Sequence, residues 1–169
     1  MSRGRPYRIA LNGYGRIGRC VLRALHERGG QDMQIVALND LADQASVEYL
    51  TRFDSTHGRF PGEVRVDGDC LHINGHCVKV LCASTPEAVD WAALDIDLLL
   101  ECSGQYTRRD EGARFVEAGV PRVLFSQPMA NAEAVDATLV YGVNHHSLNP
   151  HARLISNASC TTNAIVPVL

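Results

Sequence analysis

The stretch "LNGYGRIGRC" constrains this chain more than any other. Gly13, Gly15 and Gly18 stand in G-x-G-x-x-G spacing directly after the β-prone run "YRIALN". Ile17, Val21, Leu22 and Leu25 then recur at helical spacing, and Gly29-Gly30 closes that helix. "MQIVALND" follows as a second strand of buried type. Together they predict one βαβ unit of about thirty residues. In that setting each glycine has a reason. Gly13 permits the tight turn, Gly15 lets the backbone approach a pyrophosphate, and Gly18 lets the helix pack closely on the strand. N–H groups near Arg16 and Ile17 would meet the phosphates at the positive helix end. Asn12, the last residue of the first strand, belongs to the same set. Asp40 lies about twenty residues beyond the glycines, where a carboxylate accepts ribose hydroxyls and repels a 2′-phosphate. The cofactor so predicted is NAD rather than NADP. The bland alternative is a plain glycine turn with a surface aspartate; the βαβ context argues against it.

The rest of the chain fits the same plan. Leu41 to Phe53 is predicted helical, with Asp43 as a cap. "EVRVDGDCLHINGHCVKVL" alternates strand and turn, and Asp67-Gly68 and Asn74-Gly75 are hairpin signals. A small antiparallel excursion inserted into a parallel fold is expected there. Ser84 or Thr85 should cap a helix running to about Leu94. "IDLLLECSG", "RVLFS", "ATLVYG" and "RLISN" read as further strands, with a helix at about Asp110–Ala118. Strands alternating with helices predict an α/β fold, a doubly wound parallel sheet of Rossmann type. Ligands in such sheets sit outside the carboxyl ends of the strands. Ser103 and Gly104 in "CSGQY", and Ser126 with Gln127 in "FSQP", end two of those strands and are candidate cofactor contacts. Ordinary loop chemistry is the competing reading for both.

Composition excludes several classes. The net charge of −3 over 169 residues suggests neither nucleic acid nor an anionic membrane as partner. The first residues carry no apolar leader, and no apolar run approaches transmembrane length. The six cysteines show no C-x-x-C pair and no zinc spacing with histidine. Free thiols in a reducing cytoplasm are therefore expected, with no metal site.

Cys160 stands apart. It follows "RLIS" by a short Asn-Ala-Ser loop and opens the helix-like "TTNAIVPVL". A thiol at a helix N-terminus meets unsatisfied N–H groups and the positive dipole end, which favour the nucleophilic thiolate. The same N–H groups could hold an oxyanion. Ser159 and Thr161 add hydroxyls for a substrate. Against this, cysteine is commonly buried, and Ser/Thr here could simply cap the helix.

"NGYGRIGR", "ALND", "DSTHGRF", "YGVNH" and "SNASCTTN" together resemble the glyceraldehyde-3-phosphate dehydrogenase superfamily, in the right order along essentially the whole chain. The resemblance implies cysteine-dependent, NAD-linked oxidation of a phosphorylated aldehyde, with Cys160 as nucleophile. It implies that Arg16 and Ile17 contact the pyrophosphate, Asp40 the adenosine ribose, and that Gly104 and Ser126 lie along the cofactor. Ser159 and Thr161 would bind substrate. Residues 1–157 would form the NAD-binding domain and 158–169 the start of a catalytic domain, in a homotetrameric enzyme. Within the superfamily, "ND-Leu-Ala-Asp", "F-S-Gln-Pro-Met" and "DATLVYGVN" look more like the erythrose-4-phosphate dehydrogenase branch, which feeds pyridoxal phosphate synthesis. The glycolytic phosphorylating enzyme is the alternative. A semialdehyde dehydrogenase is disfavoured by "SNASCTTN". A nucleotide-binding module without chemistry is the reading from another class.

Three departures qualify the resemblance. Ser84 or a neighbour stands where an arginine often lies near the adenine. Ala164 replaces a second cysteine. No histidine follows Cys160, so the family's general base is not among these residues. His145, His146 and His151 precede the cysteine and read as solvated surface groups. The expectation is a truncated, cofactor-binding half that binds NAD weakly and does not turn over.

Overall fold

A computed structural model describes residues 4–29 and 32–169. The first strand, β1 (Tyr7–Asn12), lies in the middle of a nine-stranded sheet. Its side chains alternate between two cores. Ile9 and Leu11 enter one cluster with Leu22, Leu38 and Val47, and Ala10 enters the other with Trp91, Leu99 and Phe115. A strand with both faces buried needs cover on both sides, which is the doubly wound condition. On one side the cover is α1 (Arg16–Glu27) and α2 (Gln44–Arg52); on the other it is α3 (Arg109–Glu117).

β1 pairs in parallel with β2 (Met33–Asn39) on one flank and with the strand at Leu98–Glu101 on the other. The neighbouring hairpin strands are β5 (Val64–Asp67), β6 (Cys70–Ile73) and β7 (His76–Leu81). They run antiparallel to one another, yet β7 pairs in parallel with β2. The excursion therefore extends the main sheet. A separate pair, β3 (Phe53–Asp54) with β4 (Gly58–Arg59), was not foreseen. Arg23 holds this pair against α1 by donating to the carbonyls of His57, Gly58 and Arg59. Beyond β8 (Leu98–Glu101) come β9 (Val123–Phe125), β10 (Ala137–Thr138) and β11 (Leu154–Ser156). The sheet order is β10-β11-β9-β8-β1-β2-β7-β6-β5. The chain thus leaves β1 in one direction and returns to its other side, with the switch between β1 and β8. The chain ends in the short helix α4 (Cys160–Ile165) and one 3-10 turn.

Three sequence expectations need correction. The helix foreseen from Ser84 to Leu94 is two separate 3-10 turns, Pro86–Ala88 and Ala92–Leu94. Val89 between them is extended, and the buried Trp91 indole N–H is spent on the Pro86 carbonyl. The strand foreseen over "ATLVYG" is only Ala137–Thr138, because the Asn144 side chain takes the Val140 N–H for a turn. The cysteines are not all free: Cys70 and Cys77 form a disulfide. The Asn74-Gly75 turn pairs His72 with Cys77 and Cys70 with Lys79. That register leaves the two cysteines diagonal on one face, with Cα atoms 5.4 Å apart, inside the span a disulfide requires.

Candidate active site

The switch point is built by backbone contact. Gly13 has φ +87, and a Cβ placed on it would lie 2.5 Å from the Ser103 nitrogen. The loop after β1 therefore presses directly on the loop after β8, and no larger residue fits there. A Cβ on Gly18 would come within van der Waals overlap of the Gly13 carbonyl. Gly18 thus lets α1 approach the glycine loop itself rather than the strand. Gly15 differs from both. It caps α1 with φ −67 and has nothing within 4 Å of a Cβ position. Its space is open to solvent beside the first α1 N–H groups, which suits a phosphate. Arg16 and Ile17 follow on the exposed first turn. The Arg16 guanidinium lies 3.5 Å from Asp54. Backbone N–H groups of His57 and Thr56, and then Arg16, hold the Asp54 carboxyl below its usual range.

Asp40 follows β2 and folds back over the glycine loop. One of its oxygens accepts the Tyr14 N–H at 2.5 Å and the other the Ala42 N–H at 2.9 Å. Tyr14 turns inward and shares a 2.9 Å hydrogen bond with Thr51 of α2. Burial pushes its phenol up to about 12, against the opposing pull of that hydrogen bond.

Asn12 does not point outward. It is buried in a polar cluster with Asn39 and Glu101. Ser103 gives its N–H to Glu101, and Gly104, at φ +76, is exposed. Ser126 donates to the Gln127 side chain. Ser103, Gly104 and Ser126 thus line the carboxyl ends of β8 and β9, with Gly13–Gly18 beside them. Gln127 was singled out from sequence beside Ser126, but Glu101 and Asn39 were not. Glu101 could have been, as a charged residue closing the apolar run "IDLLL".

Cys160 sits at the same edge of the sheet. It lies just past β11, which is three strands from β1, or about 14 Å at ordinary strand spacing. That distance suits the two ends of a dinucleotide. The thiol is exposed. Ala158, almost fully buried, adopts φ +55 and turns the chain out of β11. Ser159 is the N-cap: its hydroxyl accepts the Thr162 N–H at 3.0 Å and lies 2.9 Å from the Thr161 hydroxyl. The capping reading of these hydroxyls is thus realised, and Thr161 remains exposed. α4 has only six residues, so its dipole does less for a thiolate than a long helix would. Cys102 is the contrasting thiol. Burial pushes it up to about 12, with a Ser126 hydrogen bond opposing and the Glu101 charge adding. The exposed His146 and His151 stand in the 140–151 turns, and half-buried His145 accepts the Gly142 N–H.

Residues 7–109 match the family described as "Glyceraldehyde 3-phosphate dehydrogenase, NAD binding domain". The chain belongs to the glyceraldehyde-3-phosphate dehydrogenase family. It is 46% identical over 163 residues to the plasmid-borne glyceraldehyde-3-phosphate dehydrogenase of Cupriavidus necator, covering 96% of this chain and 48% of the relative. The chromosomal enzyme of that organism gives the same figures. The Xanthobacter flavus glyceraldehyde-3-phosphate dehydrogenase is 47% identical over 161 residues, 95% of this chain and 47% of the relative. The chain spans about half the length of these curated relatives. In this dehydrogenase family the matched domain takes NAD, and the open space at Gly15 beside the packed Gly13–Ser103 contact fits a dinucleotide. Among the described residues, no helix is long and apolar enough to cross a membrane.

Proposed function

We propose that the intact enzyme containing this chain oxidises glyceraldehyde 3-phosphate with NAD, through a thioester on Cys160. The observation that carries the reading is the placement of an exposed Cys160 at the carboxyl edge that also holds the glycine loop. In this reading Gly13, Gly15, Arg16, Ile17 and Gly18 hold the pyrophosphate and Asp40 the adenosine ribose. Ser103, Gly104 and Ser126 flank the nicotinamide half. When bound, NAD supplies the hydride acceptor. Cys160 adds as thiolate to the aldehyde carbon and gives a thiohemiacetal. Loss of hydride from that carbon, with the hydroxyl proton passing to a base, leaves the thioester. Phosphate then displaces the Cys160 sulfur. In this reading Ser159 and Thr161, which flank Cys160, offer their hydroxyls to the substrate oxyanion or phosphate. A histidine C-terminal to Cys160 is the base that the family resemblance implies. In this reading residues 158–169 open the domain that would carry it, and the buried positive-φ turn at Ala158 supports a division there.

Glyceraldehyde 3-phosphate is preferred over erythrose 4-phosphate for two reasons. The relatives at 46–47% identity carry the glyceraldehyde-3-phosphate dehydrogenase name. The departures that pointed elsewhere also have uses inside the fold. Gln127 of "F-S-Gln-Pro-Met" bonds Glu101 and the Tyr106 carbonyl, and Ala42 of "ND-Leu-Ala" gives its N–H to Asp40. Neither contact requires a longer substrate. Competing rates for the two aldehydes on the intact enzyme test this. Faster turnover of glyceraldehyde 3-phosphate, dependent on inorganic phosphate, is expected. Preference for erythrose 4-phosphate without phosphate dependence would restore the other branch, and oxidation of neither would leave only a nucleotide-binding module.

A further inference from the structure

Glu101 is fully buried at the carboxyl end of β8. Its only side-chain hydrogen bonds among the described residues are to N–H donors. One oxygen accepts from the Asn12 amide at 3.1 Å and the Ser103 N–H at 2.9 Å; the other accepts from the Gln127 amide at 3.1 Å.

The polarity of each donor is set by backbone that cannot flip. Asn39 gives its amide N–H to the Ala83 carbonyl and takes the Ala83 N–H on its oxygen. That leaves an Asn39 N–H for the Asn12 oxygen, so Asn12 must turn its own amide nitrogen to Glu101. Gln127 likewise gives an N–H to the Tyr106 carbonyl and takes the Ser126 hydroxyl on its oxygen. Glu101 is therefore read as an anion from both sides, satisfied by three N–H groups in place of a cation. The groups it ties together are not random. Asn12 and Asn39 end β1 and β2, Ala83 follows β7, Ser103 follows β8, and Ser126 and Gln127 follow β9. Directly, or through Asn12 and Asn39, one buried carboxylate joins the carboxyl ends of β1, β2, β7, β8 and β9.

The geometry points to Glu101 as a positioning residue for NAD, fixing these loops through the polarity of its hydrogen bonds. The inference rests on the NAD reading of the site. It makes a specific demand. In Glu101→Gln an amide nitrogen must face at least one N–H donor, a mismatch in a buried site. In the double variant Glu101→Gln/Gln127→Glu the 101–127 bond reverses direction and Ser103 and Asn12 still find an oxygen, while the Tyr106 carbonyl loses its donor and faces a carboxylate oxygen.

The test measures NAD affinity of the chain by titration calorimetry, with melting temperature followed in parallel. The wild type, E101Q, the double variant and Val120→Ala are compared. Val120 is a fully buried core residue just before β9, at the opposite edge of the sheet, and its truncation lowers stability without touching the network. E101Q is expected to weaken NAD about tenfold or more, the double variant to recover part of that loss, and V120A to melt earlier while binding NAD as the wild type does. Wild-type affinity in E101Q overturns the inference. So does a double variant that binds no better than E101Q, or a V120A that loses affinity in step with its stability. Should E101Q not fold, the double variant decides alone: if it folds and binds NAD the polarity is confirmed, and if it does not the inference fails. A wild-type chain that binds no NAD overturns the cofactor reading itself and the inference with it, which is distinct from failure among the variants.

Discussion

Two glycines two positions apart make opposite demands, and substitution separates them. Gly13 needs both φ +87 and the absence of a Cβ that would strike the Ser103 backbone. Gly13→Ala should cost about 2–6 kcal/mol, the sum of left-handed strain and overpacking. Gly15 is in an ordinary conformation facing open space. Gly15→Ala should stay within about 1 kcal/mol of wild type, yet lose NAD affinity because the methyl occupies the phosphate's approach. Denaturant unfolding alongside a binding titration checks the pair; equal stability loss in both variants would refute the assignment. Thiol chemistry offers a second residue-scale test. Iodoacetamide at pH 7.5 followed by peptide mapping should label exposed Cys160 and Cys82 and spare Cys102, which is half-buried and whose thiol is pushed up to about 12. Labelling of native Cys102 as fast as Cys160 would contradict this. Of these residues, the glycines were legible because G-x-G-x-x-G after a strand has few other uses. The division of labour among them was not, since it depends on what each absent Cβ would touch. Glu101 stayed hidden for a related reason. A glutamate closing an apolar strand looks like an exposed end, and only the fold shows three amides converging on it.

Elements with strong periodicity were readable, and those held by a single side chain were not. β1, α1 and β2 follow from apolar spacing and the glycine turn, and α2 begins where Asp43 predicts, with its carboxylate accepting the Ser46 N–H. The 84–94 segment misleads because its apolar residues have helical spacing, while Pro86 and the Trp91–Pro86 bond divide it into two turns. The Cys70–Cys77 link was available from register counting across Asn74-Gly75, but composition alone argued for free thiols. Tyr14 joins elements as well, carrying the glycine loop onto α2 through Thr51. Its phenol ionises near 10 in the unfolded chain and is raised to about 12 in the fold. The folded state thus keeps a proton that the unfolded state loses. Stability from this source is fully present below pH 10 and is lost as pH rises from 10 through 12. Tyr14→Phe should cost about 1 kcal/mol at neutral pH through the lost hydrogen bond and flatten the decline of stability between pH 10 and 12. Urea titrations across that range are the measurement, and an unchanged alkaline slope in the variant would show that another group governs it.

The whole molecule is a sheet whose two halves meet at one seam, between β1 and β8. On the proposed reading, β1, β2 and β7 carry the adenine side, and β8, β9 and β11, on the other side of the seam, carry the nicotinamide side. The direct bonds across the seam at its carboxyl edge include the Cys102 N–H to the Asn12 carbonyl and the Asn12 amide to Glu101. A dinucleotide lying along that edge binds the folded chain and not the unfolded one, so it must raise stability by mass action. At a hundred times its dissociation constant the gain is about 2.7 kcal/mol, which in a domain of this size is a rise in melting temperature of roughly 5–10 °C. NADP at the same concentration should give little or no rise. Its 2′-phosphate would meet the Asp40 carboxylate, which the Tyr14 and Ala42 N–H groups hold in place over the glycine loop. Asp40→Asn removes the charge while keeping an oxygen for the Tyr14 N–H, and so should narrow the gap between the two cofactors from both sides. Thermal melts with each cofactor, on wild type and variant, read this directly. Equal shifts from NAD and NADP in the wild type would mean that the ribose lies away from Asp40, and with it the assignment of the β1–β2–β7 half to adenosine would fall.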